Sequence, residues 1–140
     1  MEFLDFWNNA FRTYKVDKIK YAKWLDAYQD IIKSCKTSAL DLGCGAGSDS
    51  YYLTQKGLDV IACDYSPVAL ETAIKEAPKA KTMLVDVSKP LPFDDNSFDL
   101  VVADLSLHYF DTETTIKIMQ EIKRILTKNG HLLARVNSTA

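Results

Sequence analysis

The residue types best placed to do chemistry begin with Asp41-Leu42-Gly43-Cys44-Gly45-Ala46-Gly47, where three glycines occupy five consecutive positions. Glycines so spaced let the backbone turn with positive φ and leave no Cβ between main chain and ligand. The helical stretch that follows, Ser50-Tyr51-Tyr52-Leu53-Thr54-Gln55-Lys56, points free N–H groups and its positive end back at the loop. Such a loop suits a nucleotide or a carboxylate. The spacing departs from the dinucleotide fingerprint, which asks for Gly or Ala where this chain has Ser48. Asp41 stands two residues before the first glycine; a carboxylate there repels pyrophosphate and can pair with a cation. The ligand this pattern suggests is a nucleoside bearing an ammonium or sulfonium group. A plain strand–turn–helix whose acid caps the helix fits the same residues.

Three further carboxylates, Asp64, Asp86 and Asp104, close successive apolar runs. In an open parallel sheet, ligands bind at that edge. Asp64 lies 21 residues past Gly43, where a carboxylate can accept from both ribose hydroxyls and repel a 2′-phosphate. Asp86 can accept from an adenine amino group while the Val87 N–H donates to a ring nitrogen. Asp104 faces the space between cofactor and substrate. Helix caps and solvated loop acids are the alternative for each.

The elements that position these residues follow from periodicity. Thr37 to Leu42 reads as a first strand and residues 48–56 as a helix stopped by Gly57. Residues 58–63 form a second strand, and Ser66 caps a helix with Pro67 at its first position. Residues 82–85 form a third strand and 98–103 a fourth. A helix over 112–127 carries Ile116, Met119, Ile122 and Ile125-Leu126, ends at Asn129-Gly130, and leads to a fifth strand over 131–136. Apolar strands separated by helices or long crossovers imply a parallel sheet covered on both faces, α/β and doubly wound. Upstream, Phe3, Phe6-Trp7 and Phe11 predict one helix, and Tyr21, Trp24-Leu25, Tyr28 and Ile31-Ile32 a second over about 18–34. Residues 1–36 are thus an N-terminal helical segment, with Tyr14 and Lys15 in a linker able to fold over a ligand as a lid, and 37–140 the core of a single domain.

Composition sets limits. A chain of 140 residues with 47% hydrophobic content supports one core. A formal net charge of −2 gives no electrostatic case for nucleic acid. Cys35, Cys44 and Cys63 are separated by 9 and 19 positions, an odd count that matches no zinc pattern. Reduced thiols in a cytoplasmic protein are the simple expectation. Cys44 sits inside the glycine loop, where a small residue that fits is favoured over a reactive thiol. The acidic start, Met1-Glu2-Phe3-Leu4-Asp5, is unlike a signal peptide, and no stretch approaches a membrane span. His108 and His131 have no partners at metal-ligand spacing.

Four segments together resemble the class I S-adenosylmethionine-dependent methyltransferases, in particular small bacterial proteins built on a bare methyltransferase domain. They are Ala39 through Gly47; Val60-Ile61-Ala62-Cys63-Asp64-Tyr65-Ser66-Pro67; Asp86-Val87 with Leu91-Pro92-Phe93-Asp94-Asp95-Asn96-Ser97-Phe98-Asp99-Leu100-Val101; and Leu105-Ser106-Leu107-His108-Tyr109-Phe110. The resemblance implies a Rossmann-like methyltransferase fold, with S-adenosylmethionine as cofactor and S-adenosylhomocysteine as product. By that resemblance Asp41, Gly43, Cys44, Gly45 and Gly47 surround the methionine part of the cofactor. Asp64 takes the ribose, Tyr65 stacks beside the adenine, Asp86 and Val87 read adenine, and Ala103, Asp104 and Leu105 lie by the methionine amino group and the substrate. The family's sheet carries seven strands, whereas this chain stops after the fifth. A truncated chain lacking the usual C-terminal strand pair is the expectation, with strand five an exposed edge open to self-association.

Methyl transfer from a sulfonium needs mainly orientation and exclusion of water, plus a base only where the acceptor must lose a proton. His108 and Tyr14 are the candidates for that base, with Tyr109 weaker. A small-molecule acceptor is expected. A non-catalytic cofactor-binding module needing a partner is the second reading, and a nicotinamide-dependent oxidoreductase the third.

Overall fold

In the computed structural model, which describes residues 3–13 and 23–137, β1 (Ser38–Leu42), β2 (Asp59–Asp64), β3 (Lys81–Leu84), β4 (Phe98–Asp104) and β5 (Leu126–Arg135) form one sheet in the order β3-β2-β1-β4-β5. Every pairing is parallel. The chain winds outward from β1 to β3, then returns to place β4 on the other side of β1. The order therefore reverses between β1 and β4, and the expected doubly wound α/β architecture is present, with β5 at one edge.

Period-two alternation sends successive side chains to opposite faces. Leu40, Leu42, Val101 and Ala103 pack with Ile118, Ile122 and Ile125 of α5 (Thr112–Ile125). On the other face Ala39, Leu100 and Val102 meet Tyr52 and Leu53 of α3 (Ser48–Gln55), Leu25 of a 3-10 turn (Lys23–Tyr28) and Ile32 of α2 (Gln29–Ser34). The N-terminal helix α1 (Phe3–Thr13) touches α4 (Pro67–Glu76). Ser66 caps α4, its Oγ accepting from the Ala69 N–H at 3.2 Å and donating to Asn8 Oδ1 of α1 at 2.5 Å.

Two expectations are corrected. The described part of the 18–34 segment is a 3-10 turn followed by a short α-helix. Tertiary partners hold that turn: the Trp24 indole reaches Asp49, and Asp26 accepts from the Tyr52 hydroxyl at 2.8 Å. Also, α5 ends at Ile125 and not at Asn129-Gly130. The carbonyls of Arg124 and Ile125 accept from the N–H groups of Asn96 and Ser97 at 2.9 and 2.7 Å, and Leu126 pairs with Phe98. Strand pairing thus captures the chain two residues before the expected helix end at 127. Gly130 falls in the resulting register shift, where a Cβ would stand 3.1 Å from the Asp99 carbonyl oxygen.

Gly47 joins the glycine loop to α3 with φ of 94°, and a Cβ there would lie 3.2 Å from Ala73 Cα of α4. Gly47→Ala is expected to destabilise by about 1–3 kcal/mol and to lower Tm by roughly 3 °C or more. An unchanged melting curve would mean that the loop relaxes without strain.

Candidate active site

The glycine loop leaves the C-terminal end of β1 at the point where strand order reverses, the position at which open α/β sheets take ligands. Gly43 and Gly45 have φ of 76° and 54°. The N–H groups of Gly43 and Cys44 both donate to the Cys63 carbonyl, at 2.9 and 2.8 Å. Asp64, ending β2, accepts from the Gly45 N–H at 2.9 Å on one oxygen and from the Ser66 N–H at 2.9 Å on the other. Its carboxylate straps the loop to β2, and each oxygen keeps a further lone pair. Burial raises the Asp64 pKa, opposed by those backbone donors. Across the loop, Ser106 donates to the Leu42 carbonyl at 3.0 Å, and a Cβ on Gly43 would stand 2.7 Å from Ser106 Cβ. Leu105, at the turn after β4, holds φ of 55°. A side chain other than glycine in that region stores strain, here at the residue that separates Asp104 from Ser106.

Beside the loop lies a cluster of carboxylates. Alternation along β1 turns Asp41 toward α3, where it is buried and accepts from Ser50 Oγ at 2.6 Å. Asp49, in the first turn of α3, is buried and accepts from Trp24 Nε1 at 3.0 Å. Asp104 takes Arg135 of β5 in a two-pronged pair at 2.7 and 2.9 Å. The Arg135 guanidinium also stands 5.1 Å over the Trp24 ring. Burial pushes the Asp49 carboxyl well above its ordinary range, and the neighbouring Asp41 and Asp104 push it the same way. Asp41 is raised too, again by burial, with its bond to Ser50 opposing.

These groups border a cavity of about 390 Å³, within the range typical of small-molecule sites. One side is the glycine loop with Asp49, Asp64 and Asp104; another is aromatic, formed by Phe3, Trp7, Tyr65, Tyr109 and Phe110. Phe3 stacks on Tyr65 with centroids 5.9 Å apart, and Trp7 meets Tyr109 edge to face at 4.9 Å.

Of the residues singled out in the sequence, Gly43, Cys44, Gly45, Asp64, Tyr65, Val87 and Asp104 line this cavity. Asp41 and Gly47 do not line it: the first lies behind the loop on Ser50, the second packs on α4. The Asp86 carboxylate is also elsewhere, accepting from the N–H and Oγ of Ser88 at 3.0 and 2.6 Å, a local turn that competes for the side chain. His108 does not line the cavity either. Its ring lies 4.1 Å from that of Tyr109, and its Nδ1 is buried without a hydrogen-bond partner. Tyr14 and Lys15 lie outside the described residues. Sequence reasoning passed over Asp49, Ser106, and the site role of Phe3 and Trp7. The helical spacing of Phe3 and Trp7 marked them as core, and only the packing of α1 shows which cavity they border. Cys44 and Cys63 are buried, which raises both thiols, Cys63 to about 12. The described residues contain no group of His, Cys, Asp and Glu able to hold a metal, and no helix long and apolar enough to cross a membrane.

A glycine loop with no room for a Cβ, a strand-end carboxylate with spare lone pairs, an aromatic wall and buried acids define a class: a nucleoside-binding α/β protein whose ligand carries positive charge. The methyltransferase-domain family matches residues 40–134, and the chain belongs to it. An uncharacterized methyltransferase of Synechocystis sp. is 36% identical over 91 residues, covering 65% of this chain and 42% of that protein. A probable tRNA methyltransferase of Mus musculus is 31% identical over 97 residues, covering 69% of this chain and 21% of its own. The crystal structure of an S-adenosylmethionine-dependent methyltransferase from Methanosarcina mazei superposes with a TM-score of 0.65 at 30% identity, over 69% of this chain and 50% of that one. The chain thus spans less than half the length of these curated relatives. S-adenosylmethionine is the cofactor that this membership assigns to the site, and the residues fit it. Asp49 and Asp104, at the cavity edge, suit its positive charge, and Asp64, with its spare lone pairs, suits its ribose.

The raised carboxyls give stability a pH dependence. Below about pH 4 Asp49 is protonated in both the folded and the unfolded chain, and its contribution is fully present. As pH climbs, the unfolded chain releases the proton first, so stability falls until the folded group ionises too. The groups facing Asp49 are Asp41 on β1, Asp104 on β4, Arg135 on β5 and the Trp24 indole. Asp49→Asn is therefore expected to gain stability relative to the wild type between pH 5 and pH 9, read as the difference in Tm at each pH. A difference that stays constant across that range would show that Asp49 is ionised throughout.

Proposed function

We propose that this chain forms the cofactor side of an S-adenosylmethionine-dependent methyltransferase acting on a small-molecule acceptor by in-line displacement. The observation that carries the reading is the convergence of Asp49, Asp64 and Asp104 with the positive-φ glycine loop on one cavity. When bound, the cofactor supplies a methyl group on a sulfonium, a good leaving group.

The chain's own residues then have separable tasks. Asp64 holds the loop shut with one lone pair per oxygen and offers the others to ribose hydroxyls. Asp49 offers a carboxylate to a cation, at the cost of releasing its proton. Asp104, anchored by Arg135, keeps a fixed orientation at the cavity edge. Phe3, Trp7 and Phe110 displace water from the mouth, which strengthens every charge interaction within. Positioning of this kind contributes roughly 7–11 kcal/mol to a two-substrate step. The acceptor reading rests on charge. The chain has a net charge of −2, and among the described residues every Asp, Glu, Lys, Arg or His bordering the cavity is an aspartate, an arrangement poorly suited to a polyanion.

Thermal unfolding tests the cofactor side. S-adenosylhomocysteine at about 100 times its Kd adds about 2.7 kcal/mol, roughly a 10 °C rise for a domain of this size. NADH is expected to give no rise, and Asp64→Ala to shrink the adenosyl shift. An equal or larger rise with NADH would sink the reading. A methylation screen that gave product only with tRNA or protein would overturn the small-molecule acceptor.

A further inference from the structure

The aromatic wall runs past the place a nucleoside needs. Tyr65 and Phe3 stack at the end of β2, beside the ribose-facing Asp64. From Phe3 the wall continues to Phe110, with centroids 6.0 Å apart, and the Trp7–Tyr109 pair stands beyond β4. That second half borders the same cavity as Asp104 and Ser106. Its rings come from two directions: Trp7 from α1, Tyr109 and Phe110 from the segment between β4 and α5. In an edge-to-face pair one ring presents its π face while the other presents its rim.

The sign of charge in this half is one-sided. Asp49 and Asp104 border it, and no Lys, Arg or His is among the described residues lining the cavity. Arg135, beside the cavity at Asp104, is committed to that carboxylate and stacked on Trp24. Aromatic faces and carboxylates both attract positive charge, and both repel an anion.

From this arrangement we propose that the acceptor is an amine, uncharged at nitrogen when it reacts, and that Trp7 and Tyr109 stabilise the positive charge that develops on it. The balance of the step fits such a site. The nitrogen lone pair forms the new N–C bond, and the electron pair of the broken C–S bond stays on sulfur. A tertiary amine leaves as a quaternary ammonium; a primary or secondary amine passes its proton to water. Charge appears on nitrogen only in the transition state and product, so groups that favour a cation there lower the barrier. A carboxylate or phosphate acceptor would face the same acids, with no Lys, Arg or His among the described lining residues to answer it. The inference rests on the cofactor reading above and names the acceptor class for the same cavity.

Binding of small probes to the chain saturated with S-adenosylhomocysteine tests it without turnover. N,N-dimethylbenzylamine, a cation at neutral pH, is expected to bind at least fivefold more tightly than phenylacetate, an anion of similar size, in isothermal titration. Tyr109→Leu, at a position 44% exposed, is expected to weaken the amine by about two- to fivefold while changing S-adenosylhomocysteine binding by less than twofold. Trp7→Phe, which keeps a ring but a weaker π face, is expected to lose a smaller share of the amine's affinity. Phenylacetate binding as tightly as the amine, or neither probe binding to the saturated protein, would overturn the proposal. So would variants that weaken both probes alike. Failure of S-adenosylhomocysteine itself to bind would overturn the cofactor reading, and this inference with it.

Discussion

Carboxylates held inside a protein are tolerated only where something answers their charge or their lone pairs, and the edge of this sheet is built around that constraint. Asp64 is answered by two backbone N–H groups, Asp41 by a serine hydroxyl, Asp49 by an indole and Asp104 by a guanidinium. Each answer ties two elements together. Asp64 joins the loop to β2, Asp41 joins β1 to α3, Asp49 joins α3 to the N-terminal segment, and Asp104 joins β4 to β5. The geometry of the cavity follows from these ties. In the loop with positive φ at Gly43 and Gly45, the Asp64 carboxylate and the Cys63 carbonyl accept from the backbone and fix where its N–H groups point.

The N-terminal residues do more than cover one face of the sheet. Leu25 and Ile32 complete the core against β1 and β4, while Trp24 bridges Asp49 and Arg135. A single indole therefore touches, directly or through one partner, both acids nearest the turn after β4. On the other side α1 brings Phe3 and Trp7 to the cavity and reaches the α4 cap through Asn8. Aromatic and acidic surfaces thus face one another across a small volume, which sets both the sign and the shape of what fits.

Much of this was legible along the chain. The strand–helix alternation, the glycine loop, the Ser66-Pro67 helix start and Asp64 at the end of β2 all follow from local rules: period-two burial, positive φ and capping chemistry. Where the structure departs from these local readings, another partner, distant or close in sequence, takes the group. Strand pairing with β4 ended α5 at Ile125 and turned Asn129-Gly130 into part of a register shift. The hydroxyl and N–H of Ser88 took the Asp86 carboxylate away from the cavity. Asp41 occupies the register position next to a buried leucine, and alternation sent it to α3 behind the loop.

The sequence by itself determined the fold class, the place of the site and the loop that forms it, because these depend on spacing within one element or between an element and its turn. Tertiary structure alone decided which acids meet. Asp49 and Asp104 lie 55 positions apart, and Arg135 and Trp24 lie farther apart still. Residues that distant become neighbours only when β4 returns beside β1 and the N-terminal turn packs on α3. The same packing decided that Phe3 and Trp7 wall a cavity. Helical spacing tells which residues share a face, and only docking tells what that face meets.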